Sequence, residues 1–365
     1  MKIAVLTSSR ADYSILYPLL FNLKRDKSFD LNIIAFGTHI SVKHGKTINL
    51  IKKDRFKIKY NFKSNPLTDT PLAISNSIAK TITNFAKIWV KDKYDLVIAI
   101  GDRFEMFAAC ASSIPFNIPI AHIHGGETTK GAFDDCFRHS ITQMSNIHFT
   151  SSEIYKKRVI ELKGSKKNVY NVGALSIDNL KSLNLYSKKQ FEKLFNIDIS
   201  IPSILITFQP ETVNFNLNKQ YIRIFIDALK EIKDYQLIIT MPNADTMGNY
   251  IRKELEKFIN KSINAIKIEN FGTIGYLTCM KYCTMMLGNT SSGFIEASFF
   301  PKYVINIGKR QEGRLITPNI NTIKINKKEI LKAIQEFKYF KPLKYNRVYG
   351  DGQTAKKIIT ILKNV

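Results

Sequence analysis

The chain has 365 residues, which suits two domains of ordinary size, and its 44% hydrophobic and 23% charged residues are typical of a globular protein. No apolar run approaches the roughly 20 residues that cross a bilayer, which argues against a membrane-spanning protein. The formal net charge of +25 raises the question of nucleic-acid binding. The lysines are spread along the whole chain, however, so we expect solvated helix faces and no nucleic-acid partner.

The chain starts with a short apolar run that reads as a buried strand. This run is too short for a signal peptide, because Arg10 and Asp12 follow it at once. The four cysteines form no CxxC pair. We therefore expect reduced, buried thiols, no structural metal and a cytoplasmic protein.

Short β-branched runs alternate with amphipathic stretches along the first half of the chain. Strands are predicted over 3–7, 31–36, 96–100, 118–122 and 148–150, and helices over 14–24, 75–90, 104–113 and 134–144. This alternation implies parallel strands joined by crossover helices.

The pattern weakens between residues 171 and 202 and then restarts. Further strands are predicted over 204–207, 237–240, 265–268, 285–288 and 303–307, with helices over 219–232, 247–259, 292–300 and 354–363. The sequence thus predicts an α/β fold of two Rossmann-like domains, over 1–175 and 176–350, followed by a C-terminal helix over 351–365. We expect the two parallel sheets to face a central cleft, where ligands of such folds bind.

The first strand is followed by a turn, residues 7–13, that opens a helix. Small residues at a helix N-terminus suit a phosphate group, and Arg10 can fork onto its oxygens. Capping of the helix by Ser9 or Asp12 accounts for the same residues without a ligand. The turn contains no GxGxxG, so a dinucleotide is disfavoured and we expect no cofactor.

Charged residues also follow the next two strand ends. Asp102 and Arg103 are adjacent and follow the strand predicted over 96–100. They are interpreted either as binding residues or as a structural ion pair. The phrase HIHGGE occupies 122–127, and two histidines that flank an isoleucine face the same side of an extended segment. A zinc site is one interpretation of this pattern, although we expect no metal.

Residues 131–139 begin a helix in which Asp134 and Arg138 are four apart and share one face. Acidic residues in a first turn are also an ordinary way to start a helix. Carboxylates from separate strand ends are what removal and return of a proton require, which pairs Asp134 with Asp102.

In the second half, residues 288–296 follow a strand and start a helix. The hydroxyls of Thr290 and Ser291 and the free N–H groups form a phosphate cradle, unless they only cap the helix. Glu296 is placed to accept hydrogen bonds from ribose hydroxyls. Arg310, after the next strand, can meet the same phosphates.

Together and in this order, these segments resemble the UDP-N-acetylglucosamine 2-epimerase family, in particular its hydrolysing branch in sialic acid and related nonulosonic acid synthesis. The matching phrases are SSRADY, GTHISVKHGKT, GDRFE, HIHGGETTKGAFDDCFRHSIT, MPNADT, GNTSSGFIEA and INIGKRQEGR, which span residues 7 to 314. The resemblance implies the two-domain fold of GT-B glycosyltransferases. It also implies that a base removes the proton on C2 while UDP leaves C1, and that water then adds to the resulting glycal.

By position, the resemblance assigns proton handling to Asp102 and Asp134, and orientation of the sugar or the leaving group to Arg138 and His139. It places His39 near the sugar, and we add Arg103 to the substrate-binding candidates. The positions that match UDP-binding residues of the family are Arg10, Ser14, Asn243, Thr290, Ser291, Glu296 and Arg310.

Two positions depart from the family phrases. Relatives have a Glu in the middle of HIxGGE and use it as an acid/base, but here the residue is His124, so either His124 or Glu127 is the candidate for that role. The family phrase FHP reads Phe208-Gln209-Pro210. Gln209 can donate a hydrogen bond but carries no charge, which leaves the phosphate affinity and the substrate open.

The expected activity is therefore hydrolysis and epimerisation of UDP-N-acetylglucosamine to N-acetylmannosamine and UDP. One alternative is the same reaction on UDP-N,N′-diacetylbacillosamine, which gives 2,4-diacetamido-2,4,6-trideoxymannose for legionaminic acid synthesis. An alternative of another class is a GT-B glycosyltransferase. Relatives form dimers or tetramers, so the resemblance also implies a homo-oligomer.

Overall fold

A computed structural model describes residues 1–42, 45–243, 245–341 and 347–364. Lys43 and His44 of the phrase GTHISVKHGKT and Ala244 of MPNADT lie outside these residues. The chain forms two compact units. Unit 1 contains residues 1–127, 134–181 and 348–365, and unit 2 contains residues 128–133 and 182–347.

The first half of the chain alternates strands and helices as the sequence predicts. In chain order its elements are β1 (Lys2–Thr7), α1 (Arg10–Arg25), β2 (Asp30–Ala35), α2 (Ile48–Lys53), β3 (Ile58–Asn61), α3 (Pro71–Lys91), β4 (Leu96–Ile100), α4 (Phe104–Ser113), β5 (Ile120–Ile123), α5 (Asp134–Met144), β6 (Ile147–Thr150), α6 (Glu153–Lys163), β7 (Val169–Asn171) and α7 (Leu175–Ser182).

The second half repeats the alternation. Its elements are α8 (Lys188–Phe195), β8 (Ser203–Thr207), α9 (Asn218–Leu229), β9 (Gln236–Thr240), α10 (Gly248–Ile259), β10 (Ala265–Ile268), α11 (Gly272–Tyr282), β11 (Met285–Gly288), α12 (Glu296–Phe299), β12 (Val304–Ile307), β13 (Ile320–Ile323), α13 (Lys327–Glu336) and α14 (Thr354–Leu362).

The sheet of unit 1 has the strand order β3-β2-β1-β4-β5-β6-β7, and its described pairs are all parallel. Its central strands are buried along their whole length, as in β4, because helices cover both faces of such a sheet. The strand order reverses between β1 and β4. Loops at the carboxyl ends of strands beside such a switch point are where α/β folds bind ligands.

The sheet of unit 2 has the order β10-β9-β8-β11-β12-β13, again with parallel pairs. Alternate residues of β8 enter different cores: Ile204 and Ile206 pack in one cluster and Leu205 in another. This alternation follows from the two-residue period of a strand. The predicted α/β class with two parallel sheets is confirmed.

The last helix, α14, belongs to unit 1. Asp178 of α7 accepts hydrogen bonds from the backbone N–H groups of Thr354 at 3.0 Å and Ala355 at 2.8 Å. Capping of this kind satisfies donors that the first turn of a helix leaves unpaired. Burial raises the pKa of Asp178, while these hydrogen bonds oppose the rise.

Several elements differ from the prediction. The edge strands β3, β7 and β13 are only three or four residues long and partly exposed, so their pattern in the sequence was too weak to detect. The helix predicted over 292–300 is instead a 3₁₀ turn over Ser291–Gly293 followed by the one-turn helix α12. Glu296 therefore begins a helix and does not lie inside one.

Two further expectations concern cysteines and membranes. All four cysteines are free, and Cys110, Cys279 and Cys283 are buried as expected, but Cys136 on α5 is exposed. Among the described residues, no helix combines the length and apolarity needed to span a bilayer.

Candidate active site

Arg138 lies at the centre of a buried polar cluster in unit 1. Helix α5 carries it next to the carboxyl ends of β4 and β5, and its side chain is 2% exposed. Its Nη2 donates to Asp102 Oδ2, and its Nη1 donates to the carbonyl oxygen of His124 at 2.9 Å and lies 3.6 Å from Glu127 Oε2. A buried charge needs such partners to offset its lost hydration.

Glu127 joins this cluster to two further side chains. His124 Nδ1 lies 2.8 Å from Glu127 Oε1, and the hydroxyl of Ser151 donates to the same oxygen at 2.6 Å. All three residues are buried. Ser151 was not predicted as a site residue, because it follows β6 between two uncharged residues, Thr150 and Ser152, and no local pattern marks it.

The glycine before Glu127 is required by the packing. Gly126 has φ +78°, and a Cβ atom there would lie 2.5 Å from the carbonyl oxygen of Tyr155. Only glycine fits both the backbone conformation and the close approach. This explains the second Gly of HIHGGE as a structural residue that lets Glu127 turn towards His124.

The two histidines of HIHGGE do not act as a pair. Strand β5 ends at Ile123 and His124 has φ +68°, so the segment is not extended and the argument that both rings face one side is wrong. His122 donates from Nε2 to the carbonyl oxygen of Gly101 at 2.8 Å and accepts at Nδ1 from Thr142 Oγ1 at 3.1 Å. Burial lowers the pKa of His122 to about 3, so the ring is neutral.

The metal interpretation of this segment has no geometric support in the described residues. No group of three or more His, Cys, Asp or Glu side chains there is arranged to hold an ion. Both nitrogens of His122 already have hydrogen-bond partners.

Asp102 and Arg103 have different partners. Asp102 pairs with Arg138 and remains 22% exposed, so its carboxylate is accessible to a ligand. Arg103 forks onto Glu105, with Nε 3.1 Å from Oε2 and Nη2 3.2 Å from Oε1. Burial raises the pKa of Glu105, and the charge of Arg103 opposes that rise. Arg103 is thus held by the first turn of α4.

The start of α5 carries the remaining catalytic candidates. Asp134 is its first residue and is 8% exposed. His139 is partly exposed, with Nε2 3.5 Å from Asp135 Oδ2. Arg138 lies between them in sequence, so α5 presents Asp134 and Arg138 on one face, as the spacing predicts.

The turn after β1 is organised by capping. Ser9 caps α1 by accepting from the N–H of Asp12 at 3.3 Å, and Asp12 Oδ2 accepts from Ser8 N and Oγ at 2.9 and 2.6 Å. Arg10 is the first residue of α1, and the carbonyl of Ser14 accepts from Asn179 at 2.6 Å. The prediction that Ser9 caps this helix is therefore confirmed. Binding of a phosphate by Arg10 stays a prediction.

His39 is fully buried between two threonines. Its Nε2 lies 2.8 Å from Thr7 Oγ1 and its Nδ1 2.9 Å from Thr47 Oγ1. Burial lowers the pKa of His39 to about 4. The ring is neutral and holds the loop after β2 against the turn after β1, so any contact with a sugar would need it to exchange one of these partners.

In unit 2 a hydrogen-bonded network centres on Asn289, at the end of β11. Its side chain accepts from Gln209 N at 2.6 Å and donates to Gln209 O at 2.8 Å. Gln209 Oε1 in turn accepts from Asn243 N at 2.9 Å. Gln209, the residue that departs from the family phrase, therefore ties the loops after β8 and β9 together.

Arg310 joins the same network. It donates to the carbonyl oxygens of Pro210 at 3.1 Å and Asn289 at 3.3 Å, and its Nη2 lies 4.0 Å from Asp245 Oδ2. Its backbone lies next to residues 128–133, since a Cβ on Gly131 would be 2.4 Å from Arg310 Cα. The sequence did not reveal this packing of the TTKGAF segment on the GKRQEGR loop.

The turn after β11 holds the hydroxyl residues. Thr290 caps the 3₁₀ turn by accepting from Ser292 N at 3.4 Å, Ser291 begins that turn, and Glu296 begins α12. The structure thus brings Gln209, Asn243 and Arg310 into one network with Asn289 and places the hydroxyls directly after it.

Comparisons with known proteins agree on one family. A family model described as UDP-N-acetylglucosamine 2-epimerase matches residues 22–363. The chain is 37% identical over 326 residues to a GDP/UDP-N,N′-diacetylbacillosamine 2-epimerase (hydrolyzing) of Campylobacter jejuni, covering 89% of this chain and 85% of that one. It is 30% identical to the UDP-N,N′-diacetylbacillosamine 2-epimerase (hydrolyzing) of Legionella pneumophila, covering 100% and 96%.

Among solved structures, the fold matches that of Methanocaldococcus jannaschii UDP-GlcNAc 2-epimerase in complex with UDP-GlcNAc and UDP. The TM-score is 0.84 over the full length of both chains, at 20% sequence identity. At this identity the similarity establishes the fold alone.

Proposed function

This chain belongs to the UDP-N-acetylglucosamine 2-epimerase family, and from that premise we infer that it is a hydrolysing UDP-sugar 2-epimerase. The first substrate we propose is UDP-N-acetylglucosamine, which would yield N-acetylmannosamine and UDP. The enzyme acts on the sugar carbon C2, where the proton must leave one face and return to the other.

The observation that supports this proposal most directly is the cluster around Arg138. Asp102, His124 and Glu127 come from the ends of the neighbouring strands β4 and β5, and all of them contact one buried guanidinium. An elimination needs a base for the C2 proton and a group that returns a proton, each held in place. Asp134, at the start of α5, completes the proposed set of carboxylates.

We assign recognition of the nucleotide to unit 2 and to the turn after β1. A departing diphosphate needs cations and hydrogen-bond donors, and we assign these roles to Arg310 and to the hydroxyls of Thr290 and Ser291 after β11. Arg10 and the N-terminus of α1 supply the same chemistry in unit 1. The net charge of +25 would also help to attract a doubly charged nucleotide sugar.

A second candidate substrate is UDP-N,N′-diacetylbacillosamine. It is favoured by the names of the two relatives at 37% and 30% identity, which are hydrolysing 2-epimerases of that sugar. The reaction would be the same, and the product would be 2,4-diacetamido-2,4,6-trideoxymannose.

We further propose that the enzyme works in the cytoplasm as a homo-oligomer. Light scattering coupled to gel filtration would measure the oligomeric state.

Proton NMR of the purified protein in deuterated water tests the activity. Each UDP-sugar is supplied separately, and the expected result is release of UDP with a manno-configured sugar that carries deuterium at C2. The faster substrate identifies the sugar. If neither sugar releases UDP and neither exchanges its C2 proton, the epimerase proposal fails and a glycosyltransferase that needs an acceptor takes its place.

A further inference from the structure

His124 has one ring nitrogen that is hydrogen-bonded and one that is not. Nδ1 contacts Glu127, whereas Nε2 is buried without a hydrogen-bond partner among the described residues. The residue is 5% exposed, and its φ of +68° is a conformation that non-glycine residues rarely adopt. Buried polar atoms are normally satisfied, so an unpaired nitrogen on a strained backbone at a strand end indicates a position kept for a ligand.

The surroundings of Glu127 decide which ring nitrogen carries the proton. The Ser151 hydroxyl donates to Oε1 at 2.6 Å, and Arg138 Nη1 lies 3.6 Å from Oε2. A hydroxyl donor and a guanidinium both favour the ionised carboxylate, which can only accept hydrogen bonds. Nδ1 of His124 must then be the donor to Glu127, which leaves Nε2 as the ring nitrogen that can exchange a proton with a ligand.

We propose that His124 exchanges a proton with the sugar through Nε2, and that Glu127 and Ser151 are positioning residues that fix its ring and tautomer. The proposal rests on the epimerase activity inferred above. It gives separate roles to the two candidates in the phrase HIxGGE: His124 takes part in proton transfer, and Glu127 acts through it.

The proton transfers balance over two steps. In the first, His124 Nε2 accepts the C2 proton on one face, the electrons of the C–H bond form the C1=C2 double bond, and the electrons of the C1–O bond leave with UDP; the imidazolium then releases this proton to solvent water. In the second, one of the proposed carboxyl groups, Asp102 or Asp134, donates a proton to C2 on the opposite face, water captures the cation left at C1, and the proton that this water loses restores the carboxyl group. The Nδ1–H bond to Glu127 persists throughout and stabilises the imidazolium.

Ser151 is within reach because of the sheet order. Strand β6 pairs with β5, so the residue directly after β6 lies beside the turn after β5 that carries Glu127. A hydroxyl at this position orients the carboxylate, as the outer partners of catalytic histidines commonly do.

The first experiment observes the ring in the resting protein, without substrate. In protein labelled with ¹⁵N-histidine, with His124 assigned through His124→Gln, the neutral ring should be the Nδ1–H tautomer. Glu127→Ala should release it towards Nε2–H, the form that free imidazole side chains prefer in water. An Nε2–H ring in the unaltered protein overturns the positioning role of Glu127, and this result does not depend on the Glu127→Ala variant folding.

The second experiment is kinetic. Ser151→Ala should lower kcat about tenfold, the range for a lost hydrogen bond to a charged group, with little change in KM, and Ser151→Thr should restore most of the rate. Ser113→Ala is the matched control, because Ser113 is equally buried and donates to the carbonyl of Cys110 at 2.8 Å. An unchanged kcat in Ser151→Ala overturns the role of Ser151.

The two experiments separate this proposal from the one it rests on. Absence of UDP release by the unaltered protein would overturn the epimerase activity, and with it the proton transfer by His124. The tautomer of His124 would still report whether Glu127 fixes the ring.

Discussion

Replacing His122 by Gln is expected to reduce the acid sensitivity of unit 1. His122 is fully buried, both ring nitrogens have partners, and its pKa is lowered from 6.5 to about 3. In the unfolded chain the ring regains its ordinary pKa. As pH falls below that value the unfolded state binds a proton that the folded state refuses, so stability is complete above 6.5 and declines as pH drops towards 3.

The magnitude follows from the proton affinity of the two states. At about pH 5 the ring is almost fully protonated in the unfolded chain and unprotonated in the folded one. This pH lies roughly 1.5 units below the pKa of the unfolded ring. At about 1.36 kcal/mol per unit, His122 therefore removes about 2 kcal/mol of stability between pH 8 and pH 5. Since Gln does not titrate, the destabilisation that His122→Gln causes near pH 8 should shrink by about 2 kcal/mol near pH 5.

Urea unfolding followed by tryptophan fluorescence measures this difference. Trp89 is the single tryptophan and is buried in α3, so its signal reports the unfolding of unit 1. Comparing variant with unaltered protein at each pH cancels the other titrating groups. Thr142→Val is the matched control: it removes a partner of the ring but keeps the ring, so its effect should not shrink in acid. An equal effect of His122→Gln at both pH values would refute the reasoning.

Three further outcomes are expected. Asp102→Asn and Asp134→Asn should each lower kcat by about 10²–10⁴-fold, because the amide keeps the shape of the carboxylate but cannot transfer the proton. Both variants should still bind UDP, as measured by calorimetry. If both turned over substrate like the unaltered enzyme, the proton-handling roles of Asp102 and Asp134 would be contradicted. Gly131→Ala should weaken UDP binding by about tenfold, because the added Cβ would lie 2.4 Å from Arg310 Cα and such overpacking typically costs about 1–3 kcal/mol. Unchanged UDP affinity together with an unchanged melting temperature would contradict this prediction. Activity should survive prolonged dialysis against EDTA, and a loss that zinc restores would instead support a metal site.

The sequence by itself determined the class of fold and singled out the residues of the proposed site. Buried strands such as β4 and β8 have continuous apolar centres, which is the pattern of strands in a parallel sheet that helices cover on both faces. Polar residues directly after such strands stand out against them, which is how Asp102 and Arg310 were found. Edge strands such as β3 lack this contrast, because one side of them faces solvent and their pattern is short.

Only the tertiary structure decided which of these polar residues meet. Asp102, Glu127 and Arg138 are separated along the chain, and the parallel order of β4, β5 and β6 brings their strand ends and α5 together. The same order makes Ser151 a partner of Glu127, a contact that no local pattern encodes. Asn289 is a similar case, since its partners lie in loops that come together only when β8 and β11 pair.

The structure also shows that His122 and His124, which have equivalent places in the HIH pattern of the sequence, have different surroundings. His122 lies within β5, and its two ring nitrogens are hydrogen-bonded to Gly101 and Thr142. His124 lies one residue beyond the strand and has a left-handed backbone conformation. A change in backbone direction after Ile123 thus gives both nitrogens of one ring a partner and leaves one nitrogen of the other ring without a partner among the described residues. The residue types are fixed by the sequence, but the direction in which each ring points depends on where the strand ends, and pairing with β4 and β6 sets that end.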